Sequence, residues 1–249
     1  MPLTALERDV YGRQMLLEGW GEPVQEKLKN ATAFVAGAGG LGSPAAMYLA
    51  VAGVGHLRIC DFDSPDWSNL NRQILHNASR IGVNKAVSGK KTLEQLNGLI
   101  RITALAERIT EETVDRLVGD SQILLDCMDN FETRFILSDC AARKRIPLVH
   151  ASIRGLDGRL AFLQPPETPC LRCVIPEAPA PEVFPVLGAT PGILGAMEAL
   201  EAIRYLAGRP SPLKSRMLVW DGLTMESYSV RLRSDPRCPA CRAPAPAAR

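Results

Sequence analysis

"ATAFVAGAGGLGSPAAMYLAVAGVGHLRICDFD", residues 31–63, decides the fold. The apolar run at 32–36 reads as a strand, the glycine-rich turn after it opens an Ala-rich helix at 43–52, and a second strand follows at 56–60. This is a β-α-β unit. Gly37, Gly39 and Gly42 take the G-x-G-x-x-G spacing directly between strand and helix. Glycine is needed there because the turn is tight and its backbone must approach a phosphate, while the helix amino terminus supplies N–H groups and positive potential. Asp61, 24 residues after Gly37 at the tip of the second strand, is placed to accept hydrogen bonds from a ribose.

Outward from this unit the alternation continues. A helix is expected at 84–97, a strand at 101–106, a helix at 111–118, the strand "QILLDC" reaching Asp126, a helix at 131–144, and the strand "PLVHASI" leading into "GRLAFLQP". Strands alternating with helices predict an α/β fold, a Rossmann-like, mostly parallel sheet covered on both faces. "RMLVWDG" and "ESYSVRL" read as strands without intervening helices, hence antiparallel additions at the carboxyl end. One domain over residues 1–242 is expected, with a nucleotide-binding core at 30–150. Before the core, residues 4–18 read as an amphipathic helix carrying Leu6, Val10, Leu16 and Leu17, outside the repeating pattern and suited to an interface. Residues 164–191, rich in proline, read as a long crossing loop. The helix that follows, "PGILGAMEALEAIRYLAG", sets Ile193, Met197, Leu200 and Ile203 on one face and Glu198, Glu201 and Arg204 off it. The tail 243–249, "APAPAAR", reads as disordered.

Composition excludes several classes. Nucleic acid and membrane surfaces usually need a concentrated basic patch, and a net charge of +2 gives no reason to expect either as a partner. No apolar run approaches the ~20 residues of a membrane span, and the amino terminus lacks the apolar stretch of a secretory signal. The cytoplasm is the expected location. Of the 7 cysteines, Cys170/Cys173 and Cys238/Cys241 form two C-x-x-C pairs, whereas Cys60, Cys127 and Cys140 stand alone as buried small hydrophobes. Four thiolates are the donor set of a closed, structural Zn²⁺ site, which here clips the crossing loop to the carboxyl terminus. His56, His76 and His150 have no ligand spacing.

The stretch "SNLNRQ", Ser68 to Gln73, bears on which nucleotide binds. Asp61 would repel a 2′-phosphate, and a nicotinamide-dependent oxidoreductase has no use for a phosphate-binding arginine here. Asn69 and Arg72 are spaced to share one side of a helical turn, an amide beside a guanidinium fork. Lys85 opens the next expected helix, and Asp129 lies just beyond the fourth strand, at the carboxyl ends that line the ligand crevice of an open sheet. Lysine and arginine neutralise a triphosphate and the carboxylate holds Mg²⁺, so ATP is the expected ligand.

In order along the chain, "GAGGLGS", "DFD", "SNLNRQ", "GVNKA", "LLDCMDN", the paired C-x-x-C motifs and "PGILGAMEALEAI" resemble the ThiF/MoeB/HesA family of adenylyltransferases, relatives of ubiquitin-activating enzymes. The likeness covers about residues 8–242. It implies ATP-dependent adenylylation of the terminal Gly-Gly carboxylate of a small ubiquitin-like sulfur carrier protein, of molybdopterin, thiamine or related type, with release of pyrophosphate. It also implies a nucleotide site drawn from Gly37, Gly39, Gly40, Gly42, Asp61 and Asp63, then Ser68, Asn69, Leu70, Asn71 and Arg72, then Lys85, Asp129 and Asn130. Arg72, Lys85 and Asp129 are the implied catalytic groups, joined by Arg13 of a "Y-x-R-Q" motif that reaches the ATP of the other subunit in a symmetric homodimer. Many relatives place a cysteine five residues before a "V-L-G" element, a position that is Pro181 here. Proline is no nucleophile, so the chain is expected to stop at the acyl adenylate and leave sulfur delivery to a separate persulfide donor. Two other readings remain at this stage: an NAD-dependent oxidoreductase, and a carrier-binding protein without turnover.

Overall fold

A computed structural model describes residues 1–180 and 183–241. Strands β1 (Thr32–Ala36), β2 (His56–Cys60), β3 (Arg101–Leu105), β4 (Ile123–Asp126), β5 (Leu148–Arg154), β6 (Asp157–Leu163), β7 (Arg216–Asp221) and β8 (Glu226–Arg231) form one sheet in the order 3-2-1-4-5-6-7-8. The segment from β3 to β5 is parallel, and β6, β7 and β8 add antiparallel to it. The period of two explains the layers. Ala33 and Val35 pack on one side of the sheet and Phe34 and Ala36 on the other, and all are buried, as a central parallel strand requires.

One face carries helices α3 (Gly42–Val51), α4 (Lys85–Leu96) and α8 (Ala189–Leu206), through Leu49, Leu93 and Leu194. The other carries α5 (Val114–Val118), α6 (Phe131–Lys144) and α7 (Leu171–Val174), through Leu117, Leu137 and Leu171. The mostly parallel sheet with antiparallel carboxyl-terminal strands is the fold expected from the sequence. Among the described residues, no helix is long and apolar enough to cross a membrane.

Several local expectations change. Helix α1 runs only from Ala5 to Met15, capped by a reciprocal Thr4–Glu7 box. Glu7 and Tyr11 are its buried residues, while Leu6, Val10, Leu16 and Leu17 are exposed. Helix α2 (Gly21–Lys29) was not anticipated; it buries Val24, Gln25 and Leu28. The helix expected at 111–118 begins only at Val114, after a turn. The crossing segment is not wholly irregular: it holds α7 and bridges Gly155 to Val186 before α8 starts at Ala189.

The faces of α8 are also redistributed. Glu198 and Glu201 are buried and Leu200 is exposed. Small residues explain this orientation: a Cβ on Gly195 would lie 2.3 Å from the Leu41 carbonyl oxygen, so the Gly195–Ala199–Ala202 side packs against the α3 region and takes the glutamates inward. Each buried carboxylate finds a donor, Cys127 Sγ for Glu198 and Ser211 Oγ for Glu201. The expectations about Pro181 and about a disordered tail at 243–249 lie outside the described residues.

Candidate nucleotide site

The glycine turn that follows β1 is locked between the ends of β2 and β4. Gly37 has a φ of 95°, its N–H donates to the Cys60 carbonyl at 2.8 Å, and a Cβ on it would come within 2.8 Å of the Cys127 carbonyl oxygen. At Gly42 a Cβ would lie 1.9 Å from the Gly37 carbonyl oxygen, so Gly42 permits the turn to close on itself rather than facing a ligand. Asp61 bridges turn and crevice: Oδ2 accepts the Ala38 N–H at 2.8 Å and Oδ1 the Asp63 N–H at 2.9 Å. Burial raises its carboxyl above the usual range, opposed by those two backbone donors and by Lys85. Each oxygen keeps a lone pair for a hydroxyl.

Lys85 is the first residue of α4, behind an Asn84 cap whose Oδ1 accepts the Ala86 and Val87 N–H groups. Its side chain is nearly buried and its Nζ lies 3.7 Å from Asp63, which is half exposed. Across the crevice Asn130 caps α6 by accepting the Thr133 N–H at 2.9 Å. Because asparagine is the cap, exposed Asp129 is left with only a long 3.5 Å contact from Asn130. An exposed carboxylate is a hard oxygen donor of the type Mg²⁺ takes, with most of the ion's remaining ligands water.

These groups line one cavity of about 910 Å³ at the carboxyl ends of the parallel strands: Gly37, Gly39, Gly40, Asp61, Asp63, Arg72, Lys85, Asp129 and Asn130 all face it. Ser68, Asn69, Leu70 and Asn71 do not. The "SNLNRQ" stretch makes only a three-residue 3₁₀ turn, Trp67–Asn69, in which Asn69 and Asp66 cap each other. The Asn69 side chain is thus spent on Asp66 and Ser68, and no bond joins it to Arg72. Arg72 folds back instead, donating from one nitrogen to the Ser68 carbonyl at 2.9 Å and to Asn71 Oδ1 at 3.0 Å, so those residues hold the arginine at the cavity wall. Arg13 is exposed on α1 and is not part of the wall.

The wall also includes residues that carried no signal of their own. Phe62 lies under the Arg108 guanidinium at 3.7 Å, forming a flat, cationic rim beside Asp61. Beneath the floor, buried Asp126 receives His150 Nδ1 at 2.6 Å and the Met128 N–H at 3.2 Å, with Arg134 Nε at 3.9 Å. Next to it the Cys127 thiol donates to Glu198 Oε2 at 3.5 Å. Burial pushes Glu198 and Cys127 well above their ordinary values and pushes the thiols of Cys60 and Cys140 up to about 12, so none of the three lone cysteines is a ready nucleophile.

The four paired cysteines do meet. Their sulfurs lie within 4.8 Å of one another, with Cys170–Cys238 and Cys173–Cys241 at 3.6 Å and Cys170–Cys173 at 3.8 Å. A tetrahedron of sulfurs about Zn²⁺ at ~2.3 Å has edges of about 3.8 Å, so the cluster fits the ion and is far too open for disulfides. Between the first two of these cysteines, Arg172 clamps Asp139 at 2.8–3.1 Å and lies 4.5 Å over Phe135, tying the cysteine cluster to α6 and to the cavity.

The ThiF family's sequence profile matches residues 11–240. The chain belongs to the ThiF family. Among its relatives, Protein HesA, heterocyst, of Trichormus variabilis is 40% identical over 246 residues, covering 98% of this chain and 92% of that protein. Adenylyltransferase and sulfurtransferase MOCS3 of Drosophila persimilis is 39% identical over 252 residues, covering 97% of this chain and 56% of that protein, so the chain spans little more than half of that relative. The E. coli MccB crystal structure with ATP shares the ThiF-type fold at a TM-score of 0.85 and 23% identity, covering 96% of this chain and 75% of that one.

Proposed function

We propose that this ThiF-family chain is an adenylyltransferase that binds ATP and activates the terminal Gly-Gly carboxylate of a small ubiquitin-like sulfur carrier protein. The observation that carries the reading is the convergence of the glycine turn, Asp61, Arg72, Lys85 and Asp129 on one cavity. Asp61 receives the ribose, the turn's N–H groups receive phosphate oxygens, and Arg72 and Lys85 offset the charge of the triphosphate. Asp129 would hold Mg²⁺, which would supply positive charge against the departing pyrophosphate. A carrier carboxylate oxygen attacks the α-phosphorus, forming an acyl–phosphate bond as the bond to the β-phosphate oxygen breaks. The catalytic contribution is chiefly placement and electrostatics, because cations fixed in advance do not have to reorganise.

The working form is a symmetric homodimer, in which exposed Leu6 and Val10 of α1 and Leu16 and Leu17 just after it supply apolar contact and Arg13 reaches the partner's ATP. Zn²⁺ held by Cys170, Cys173, Cys238 and Cys241 is structural, since four sulfurs leave it no open position. Residues 1–242 act as a single domain in the cytoplasm, whose reducing state suits described cysteines that form no disulfide. With proline at 181 and every lone cysteine buried, the product leaves as acyl adenylate and a separate persulfide donor supplies sulfur. The carrier is of the molybdopterin, thiamine or a related type. Isotope exchange between pyrophosphate and ATP, measured with purified Gly-Gly-ended carriers, tests the reading: exchange with one of them supports it, and absence of exchange with all of them refutes it.

A further inference from the structure

Ala38 is the residue of the glycine turn held from both sides. Its N–H donates to Asp61 Oδ2 at 2.8 Å, and its carbonyl accepts from His76 Nε2 at 2.8 Å. A carbonyl oxygen brings no proton, so Nε2 carries the hydrogen and Nδ1 is the acceptor of the ring. Nδ1 is filled in turn by the hydroxyl of Ser88, 2.9 Å away and fully buried on α4. His76 is 7% exposed, and burial together with Lys85 and Arg80 holds its imidazole below the ordinary value, keeping it neutral.

The peptide that follows Ala38 needs such a brace. A glycine on one side leaves a peptide plane free to rotate, and Gly39 has no Cβ to obstruct it. In a trans peptide the C=O of one residue and the N–H of the next point in opposite directions. Tying the Ala38 carbonyl to buried His76 therefore turns the Gly39 N–H the other way, toward the cavity that Gly39 lines. Neither the Gly39 nor the Gly40 N–H has a partner among the described residues.

We propose that His76 is a positioning residue: through the Ala38 carbonyl it aims the Gly39 N–H at a phosphate oxygen of the bound nucleotide. Sequence spacing leaves this histidine without a role, and it touches no ligand. The inference rests on the nucleotide reading above, but the brace itself exists without ligand.

Paired substitutions separate the two halves of the contact. Glutamine carries an amide nitrogen as far from the backbone as Nε2 and preserves the bond to Ala38, whereas asparagine reaches only as far as Nδ1 and preserves the bond to Ser88. Full-length His76→Gln is expected to bind ATP within about threefold of the unaltered protein, and His76→Asn about tenfold more weakly, the scale of one lost hydrogen bond. Ser88→Ala, which frees the ring to turn, lies between them. In nucleotide-free protein, ¹⁵N relaxation should give the Gly39 amide an order parameter near ~0.85 in the unaltered and glutamine forms, falling toward ~0.6 in the asparagine form. If the unaltered protein does not bind ATP, the nucleotide reading fails while the relaxation measurement still decides the brace. Equal Gly39 order in the asparagine and unaltered forms, or equal ATP affinity of the two His76 variants, overturns the proposal.

Discussion

Replacing Lys85 by methionine removes a cation from the cavity wall and keeps the bulk of its stem. Little stability depends on that charge. As the first residue of α4 it opposes the positive end of the helix dipole, at a cost of about 0.3–1 kcal/mol. Its ion pair with Asp63, at 3.7 Å and with the partner 52% exposed, returns at most ~1 kcal/mol. Its backbone N–H, which donates to the Asp63 carbonyl at 2.7 Å, survives the substitution. The two charge effects nearly cancel, leaving a change under about 1 kcal/mol and a melting shift under about 4 °C for a chain of this size. The effect on reaction is different: loss of one preplaced charge partner costs about 3 kcal/mol in the transition state, roughly a hundredfold in kcat/KM. Pyrophosphate exchange and a thermal melt on the same preparation separate the two. A melting temperature lowered by more than about 8 °C with exchange near the unaltered rate would make Lys85 a structural residue and refute the reasoning.

Three further outcomes are expected. Chelation that strips metal from the cysteine cluster lowers the melting temperature by more than about 10 °C, because metal binding is coupled to folding; an unchanged melt after verified metal loss contradicts a structural Zn²⁺. Glu198, with its carboxyl raised by burial from 4.5, contributes full stability below that value and loses it as pH rises toward its folded value. Glu198→Gln, neutral throughout, should therefore raise the melting temperature at pH 8 and change it little at pH 5, and equal shifts at both would show that the carboxyl is not held neutral. Arg13→Ala and Arg72→Ala should each abolish exchange, while mixed dimers of the two recover activity at one intact hybrid site; verified heterodimers that stay inactive rule out an arginine acting across the interface.

The glycine turn, the strand tips and the cysteine pairs were legible because their chemistry depends on spacing along the chain. Gly37, Gly39 and Asp61 lie within one β-α-β unit, and Lys85 and Asp129 follow from the rule that strand carboxyl ends meet at the crevice. What escaped depended on contacts between distant segments. Nothing local announces that Glu198 is buried, because the thiol that donates to it comes from β4's end, 71 residues away. His76 and His150 read as isolated, since their partners Ala38 and Asp126 are brought to them only by the assembled sheet. Helix α2 was missed because its buried Val24, Gln25 and Leu28 include a glutamine, whose amide donates to the Ala52 carbonyl at 3.0 Å rather than presenting an apolar stripe. Within "SNLNRQ", helical spacing misjudged Asn69, because its side chain caps Asp66 while the Arg72 guanidinium turns to Ser68 and Asn71.

The most direct measurement is pyrophosphate–ATP exchange with a Gly-Gly-ended carrier in two forms, one with a free terminal carboxylate and one amidated. Adenylylation at that carboxylate predicts exchange with the free form and none with the amidated form. Exchange that ignores amidation, or no exchange with any free carrier, contradicts it.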